Sequence, residues 1–483
     1  MSHLGKILTV ALALYALVTG VFLISENRRP QSTLAWMLVL FFAPGFGLLV
    51  YFLFGRDQKA FSNQSKLLNQ DLQTDAIPLL SSILCHQDAE IARLENESAI
   101  RKKLMMLVRR NSLSALTKGN IVEIQQDAAT FYPRMVEDMK AAQHSIHLQY
   151  FIWAADGFTE GLKEILIAKA KAGVEVRLLY DPIGSYAHLN RAYLRQMMAA
   201  GIQVAPTSPL YRLHTISYRN HRKITVVDGQ IGYTGGMNIG QEQLDGGKGF
   251  NAWRDTQVRI VGDGAMILQA VFMVDWYNAV GENLLSDKYF PSDAEVPSKM
   301  DIPVQILTSG PDSQWAAIRQ LYANMIGTAQ RHVFLQSPFF IPDATIAEAL
   351  KLAALSGVDV RIMLSARPSG NRLPDWAGNT YIEDIVAAGV RVFLYEKGYL
   401  HAKTISIDSE ICSIGSANID IRSFSINYEI NAVIYDAQLA GELEQDFKRD
   451  LAHCTEFDPR EYEKRGVISR FRDSVARLLS PLL

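Results

Sequence analysis

His401-Ala402-Lys403-Thr404-Ile405-Ser406-Ile407-Asp408 runs on to Gly415-Ser416-Ala417-Asn418, and an earlier stretch, His221-Arg222-Lys223-Ile224-Thr225-Val226-Val227-Asp228 through Gly235-Gly236-Met237-Asn238, repeats its spacing residue for residue. Side chains two apart on a strand leave the same face, so each stretch aims an imidazole and an ammonium at one spot. Ile224, Val226 and Val227 ahead of Asp228-Gly229, with Ile231, Tyr233 and Thr234 after it, predict a hairpin with a two-residue turn. Ile405, Ile407, Asp408-Ser409, Ile411 and Ile414 predict the same. In that register Gly236 stands opposite His221 and Ser416 opposite His401, while Asn238 and Asn418 share the face of His and Lys. Asp228 and Asp408 complete each motif but fall at the turn, far from the imidazole, and read mainly as turn chemistry. A single His-x-Lys strand is most often solvated surface; two copies with the same onward spacing make a duplicated site.

The duplication extends well beyond the hairpins. Val333-Phe334-Leu335-Gln336 echoes His147-Leu148-Gln149, Gly357-Val358-Asp359-Val360-Arg361 echoes Gly173-Val174-Glu175-Val176-Arg177, and Ala388-Gly389-Val390-Arg391-Val392 echoes Ala200-Gly201-Ile202-Gln203-Val204. Apolar strand runs alternate with amphipathic helical segments, the pattern of α/β units. Two similar units are expected, over 121–295 and 296–463, with the boundary where Pro and charge gather near Pro291 to Asp301. Each hairpin is followed by a strand bearing an acid, Asp255 or Glu429, and a catalytic imidazole needs such a partner on its far nitrogen to fix its tautomer.

At 483 residues and net charge −2 the chain has no bulk basic character to bind nucleic acid. Cys85, Cys412 and Cys454 offer neither a disulfide framework nor zinc-ligand spacing. Leu4 to Ile24 and Leu34 to Phe54 are apolar runs of spanning length, the second holding Pro44-Gly45, and residues 1–59 are expected to form a two-helix transmembrane hairpin. Arg28 and Arg29 oppose Glu26 in the connector, against Lys6, Arg56, Lys59 and Asp57 outside it; the catalytic mass is placed in the cytoplasm. Residues 60–120 read as a helical linker near the headgroups, with Lys102, Lys103, Arg109 and Arg110 beside Leu104 to Leu107. Residues 464–483 place Ile468, Phe471, Val475, Leu478, Leu479 and Leu482 at helical spacing beside Arg465, Arg470, Arg472 and Arg477. This is a basic amphipathic tail helix, which could lie on a membrane or dock on the protein's own core.

The twofold pattern His-x-Lys-(x)4-Asp-(x)6-Gly-(Gly/Ser)-x-Asn resembles the phospholipase D superfamily. Gly55-Arg56, Arg28-Arg29-Pro30 in the connector and Thr33-Leu34-Ala35-Trp36 opening the second apolar run bring it nearest the bacterial cardiolipin synthases. The resemblance implies two phospholipase D-type α/β/α units related by a pseudo-twofold axis, which brings both motifs into one site. It also implies a phosphohistidine intermediate, with His221 as nucleophile and His401 as general acid. Lys223, Lys403, Asn238, Ser416 and Asn418 would bind phosphate. Two phosphatidylglycerol molecules would become cardiolipin and glycerol in the cytoplasmic membrane of a bacterium. The chain departs from the family's pattern at Gly240-Gln241-Glu242-Gln243, which lacks the usual Tyr, and at Gly262-Asp263, where Gly-Pro is common.

A phosphodiester is anionic, so attack on it calls for cations, amide donors and a nucleophile active at neutral pH, which two Lys, two Asn and two His supply. No run of acids has metal-ligand spacing, and chemistry without metal or cofactor is expected. The catalytic residues do not choose between water and a lipid alcohol as acceptor, so hydrolysis of a phospholipid headgroup is the alternative. A nuclease and a membrane scaffold without catalysis are further readings; the apolar hairpin argues against the first and the intact motifs against the second. Leu210, Tyr211, Ile216 and Tyr218, just ahead of His221, are either an apolar approach that keeps water from the site or ordinary core.

Overall fold

Alternation of apolar residues along short strands, interrupted by helices with one apolar face, builds two sheets of the same plan. The computed structural model describes residues 3–26, 30–51, 55, 87, 91, 98–112, 114–209, 217–247, 249–290, 301–368, 370 and 372–480. They fall into two compact units, one within Met1–Phe61 and Ser208–Tyr218, the other within Ser62–Thr207 and Arg219–Leu483.

In the larger unit the first half supplies β1 (Ile121–Gln126), β2 (Ser145–Tyr150), β3 (Glu175–Tyr180), β4 (Gln203–Pro206), β5 (Ile224–Val227), β6 (Ile231–Gly235) and β7 (Thr256–Val261). They are hydrogen-bonded in the order 1-7-6-5-2-3-4. The second half supplies β8 (Val304–Ser309), β9 (His332–Gln336), β10 (Asp359–Ser365), β11 (Arg391–Tyr395), β12 (Thr404–Ile407), β13 (Ile411–Gly415) and β14 (Glu429–Ile434). Their order, 8-14-13-12-9-10-11, is the first order repeated. Short strands Leu116–Thr117 and Cys454–Glu456 extend the two edges of the second sheet. In each sheet the last three strands of the order run parallel, joined by crossover helices, and the hairpin strands are antiparallel. The first crossover helix, Gly157–Lys171, starts in a reciprocal cap between Asp156 and Thr159, and Gly173, at φ 94°, allows the chain to turn out of it.

Ile224 and Val226 of β5 pack in one buried cluster with Val258, Ile260, Ile306, Cys412, Ile414, Ile430 and Ile434. The two sheets therefore share a core, and burial of these faces holds both halves as one body. Cys412 is a fully buried filler there.

The turns depart from the sequence reading. Val227 pairs with Ile231 and Ile407 with Ile411, which leaves three-residue loops where two residues were expected. Asp228 (φ 51°) and Gly229 (φ 69°), like Asp408 (φ 55°) and Ser409 (φ 53°), take the left-handed conformations that such a loop requires. The extra residue shifts the register by one, so extension of the ladder sets Met237, not Gly236, opposite His221, and Ala417, not Ser416, opposite His401.

Asp228 and Asp408 lie at the far end of the hairpin strand from His221 and His401, roughly 20 Å along an extended chain. The Asp228 carboxylate accepts the backbone N–H groups of Gln143, His144 and Ser145 at 2.7, 2.8 and 2.8 Å, pinning the start of β2. Asp408 does the same for Gln330, Arg331 and His332 at 2.8, 2.7 and 2.9 Å. Both acids belong to the scaffold, not to the group of catalytic residues with which the motif associates them. Asp228→Asn replaces one acceptor oxygen by a donor facing an N–H, and is expected to cost about 1–3 kcal/mol of stability while leaving turnover per folded molecule intact. Thermal melts beside activity check this; a variant that folds normally yet is dead contradicts it.

Residues 98–112, assigned above to a linker, pack against the second half. Leu104, Met105 and Val108 of the helix Ala99–Ser112 are fully buried with Leu307, Ile318, Leu321 and Val333, because their spacing makes one apolar stripe. Apart from Gln87 and Ile91, residues 60–97 lie outside the described residues.

The smaller unit holds helices His3–Ser25, Pro30–Phe42 and Pro44–Val50. The second apolar run is broken at Ala43 (φ −135°, ψ 65°), since a residue before proline is driven out of the helical region. Tyr15 Oη donates to the Pro44 carbonyl at 3.1 Å, and Leu23, Leu40 and Tyr51 pack together. Leu17, Phe41, Phe42 and Phe46 are exposed. Among the described residues no helix is long and apolar enough to cross a membrane.

Candidate active site

Where β5 and β12 begin, the chain leaves its own sheet and bonds to the other half. The His221 N–H donates to the Tyr428 carbonyl at 2.9 Å, and the Tyr428 N–H to the Arg219 carbonyl at 2.8 Å. Tyr399–Leu400 runs parallel to Trp253–Arg254, and the His401 N–H donates to the Arg254 carbonyl at 2.7 Å. The segment leading into each His is thus bonded to the segment leading into the other half's acid.

This crossing pairs the groups. Glu429 lies 3.0 Å from Nδ1 of His221, and Asp255 lies 2.6 Å from Nδ1 of His401. Each half supplies its imidazole to the carboxylate of the other. With Nδ1 so engaged, Nε2 of each ring has no hydrogen-bond partner among the described residues and is available for chemistry. Ser416, proposed from sequence as a phosphate ligand, instead donates its hydroxyl to Glu429 and accepts the Ile430 N–H at 2.9 Å. Its counterpart must be Gly236: a Cβ there would meet Asp255 Oδ1 at 2.0 Å.

Lys223 and Lys403 are fully buried, and each Nζ donates to the carbonyl of the histidine two residues before it. Asn238 Oδ1 accepts the Ile152 N–H at 3.2 Å, and Asn418 Nδ2 donates to Asp420 at 3.0 Å, so both amides are tied into the walls. The edge of Phe151 stands against His221, ring centres 4.8 Å apart, and Trp253 and Tyr399 pack against His401. Leu210, Tyr211 and Ile216 lie outside the described residues.

A pair of inner ion pairs, absent from the sequence reading, braces the site. Arg222 meets Asp275 at 2.8 Å, within a network with Gln149 and Asn220. In the second motif Ala402 takes the place of Arg222, and Asp450 is met instead by Arg254 at 2.9 Å, with Gln336 at 3.3 Å. The echo of Gln149 by Gln336 was the signal available in the sequence; the exchange of arginines between strands left none.

Burial is the largest influence on all four bases, and it disfavours their charged forms. It takes His221 from its ordinary 6.5 to about 4, opposed by Glu429 and aided by Lys223 and Lys403. Burial also takes His401 to about 3, with Lys403 and Lys223 lowering it and Asp255 opposing. It brings Lys403 down to about 8 against the pull of Asp255 and Glu429, and drives Lys223 well below its usual range, helped by repulsion from Lys403. That each histidine feels the lysines of both halves, and each lysine the carboxylates of both, makes this one electrostatic site. The unfolded chain protonates these imidazoles near 6.5 and the folded protein only near 4 and 3, so the unfolded state binds more protons between those values. Stability is therefore expected to fall as pH drops from about 6.5 towards 4. Melting temperatures across that range should fall less steeply in His221→Ala and His401→Ala; equal slopes contradict the buried neutral assignment.

The model of the family described as "Cardiolipin synthase, PLD-like domain" matches residues 135–261 and 322–451, one match per half, and a "Phospholipase_D-nuclease N-terminal" model matches residues 11–56. The chain is 38% identical to the major cardiolipin synthase ClsA of Bacillus subtilis over 492 residues, covering 100% of both chains. It is 36% identical to a cardiolipin synthase of Alkalihalophilus pseudofirmus over 485 residues, covering 99% of this chain and 94% of that one. Among solved structures, the phosphatidylserine synthase of Haemophilus influenzae superposes with a TM-score of 0.60 at 15% identity, over 79% of this chain and 100% of the other, which is a likeness of fold. Two matched halves carrying one crossed His–carboxylate site, and full-length relatives at 36 and 38% identity, place the chain in the cardiolipin synthase family of phospholipase D-like enzymes.

Proposed function

We propose that the protein condenses two phosphatidylglycerol molecules into cardiolipin and glycerol at one site made by both halves about a pseudo-twofold axis. The observation that carries this reading is the crossed pairing of His221 with Glu429 and His401 with Asp255, which points two oriented imidazoles and two buried ammoniums at one place. Nε2 of His221 attacks phosphorus, the bond from phosphorus to the glycerol oxygen breaks, and His401 delivers its Nε2 proton to that oxygen. His401 then takes the proton from a hydroxyl of the second phosphatidylglycerol, whose oxygen attacks phosphorus and releases His221. Lys223 and Lys403 offset the charge on the phosphoryl oxygens in a site largely shut off from water.

Because the free imidazoles are neutral at pH 7, the acid must gain its proton as substrate arrives. An anionic phosphodiester beside Lys223 and Lys403 offsets the repulsion that adds to burial in holding His401 down, so binding and proton uptake are coupled. Asn238 and Asn418 shape the phosphate pocket from its walls, and no metal or cofactor takes part.

The match of residues 11–56 to an N-terminal family model and the exposed Leu17, Phe41, Phe42 and Phe46 support a membrane anchor formed by the amino-terminal hairpin. It would span the bacterial cytoplasmic membrane with the catalytic body in the cytoplasm, facing phosphatidylglycerol and other anionic lipids. A site held at the interface meets lipid hydroxyls at high local concentration, which favours transfer over hydrolysis. The test is incubation of purified protein with phosphatidylglycerol vesicles and mass analysis of the lipids. A four-chain lipid with one glycerol released per molecule formed is expected; phosphatidic acid as the main product refutes transfer.

A further inference from the structure

The carboxy-terminal helix Val467–Leu478 is docked with its polar side inward. Asp473, with no exposure, accepts from Arg472 at 2.7 Å and Asn379 at 3.1 Å, and Arg465 approaches it at 3.4 Å. Ala476 and Ser480 are buried on the same side. Arg472 and Arg477 lie over the rings of Trp376 and Tyr381 at 4.4 and 4.3 Å. At 100° per residue the opposite side carries Val467, Ile468, Phe471, Val475, Leu478 and Leu479, which are 84, 86, 70, 42, 79 and 40% exposed. The Tyr462 hydroxyl also donates to Asp473 at 3.4 Å, and a buried carboxylate with these four partners cannot be turned to water without leaving them unpaired, so this orientation is specified by the fold.

We infer that this outward face is a second membrane contact, seated in the interface of a bilayer bearing anionic headgroups. The inference rests on the reading of the protein as a lipid transferase at a membrane. Charge selects the occupant: Lys464 and Arg470 stand beside the apolar stripe and are exposed, and the helix's one acid is buried and already neutralised by Arg465 and Arg472. A stripe of large apolar side chains edged by cations matches acyl chains below and phosphates beside them, whereas a protein partner would have to supply a groove rimmed with acids. Such a contact would hold the second half down on the membrane independently of the amino-terminal hairpin.

The test uses the full chain with Cys85, Cys412 and Cys454 replaced by Ala, reconstituted into phosphatidylcholine vesicles with or without phosphatidylglycerol. An environment-sensitive dye is placed by Ile468→Cys, Val475→Cys or, as a control off the stripe, Glu461→Cys. Dye at 468 and 475 is expected to shift to the blue and to be quenched severalfold by lipids brominated on their tails, more strongly with phosphatidylglycerol present. Dye at 461 should do neither, and Lys464→Glu with Arg470→Glu should remove the gain from phosphatidylglycerol. Unquenched dye at 468 and 475 overturns the inference, whether the dye is exposed to water or, shielded without quenching, covered by protein. Lipid products are measured on the same vesicles: cardiolipin formed without quenching overturns this contact alone, and quenching without cardiolipin supports the contact while refuting the proposed reaction.

Discussion

His221→Ala and His401→Ala each lose turnover by about four orders of magnitude or more, and the double variant is no worse than either alone. Both expectations follow from a single site in which one imidazole bonds to phosphorus while the other moves the proton. Two independent sites, one per half, would instead leave about half the activity in each single variant. The geometry opposes that alternative, since each ring takes its orienting carboxylate from the opposite half at 3.0 or 2.6 Å. The assay is initial-rate cardiolipin formation, with melting curves to show that each variant is folded. Wild-type rates in either single variant end the shared-site account.

Glu429→Gln and Asp255→Asn are expected to lower kcat by a factor of about 10^3 to 10^4 with little change in KM. An amide keeps the shape of the acid but not its charge. It neither fixes the tautomer that leaves Nε2 reactive nor stabilises the cation formed when the ring is protonated or phosphorylated. The two variants should differ in a further respect. Glu429 is also held by Ser416 and by Asn427 at 3.1 Å, so Gln there meets donors arranged for a carboxylate, and Glu429→Gln should lose stability as well. Asp255 accepts the N–H of Thr256 at 2.7 Å through its second oxygen and is buried against Gly236. Rates near wild type for either variant would show that the carboxylates only pack.

The duplicated fold was legible because two signals agreed: period-two alternation in each hairpin, and the same spacing from His to Asn in both copies. What failed was local. Positive φ at Asp228 and Asp408 lengthened each turn by one residue, and a shift of one moves a residue to the other face of a strand. The partner of each histidine was beyond reach for another reason. Asp255 and Glu429 could be named as candidates from the strand each occupies, but only packing of the halves decides that they cross. The same holds for Arg222 and Arg254, which perform one task from unrelated positions in the repeat. The tail shows the limit of periodicity, which identified an apolar stripe within residues 464–483 but not that buried Asp473 would turn it outward.

The central claim, that one histidine carries the phosphatidyl group while the other serves as acid, is tested most directly by trapping the intermediate. His401→Ala is given phosphatidyl-p-nitrophenol, whose leaving group departs without a proton, and the protein is digested and mapped by mass at neutral pH. The account predicts a burst of one nitrophenolate per chain and a phosphatidyl adduct on the peptide containing His221, with neither in His221→Ala. An adduct on His401 in His221→Ala, or no burst in His401→Ala, would contradict it.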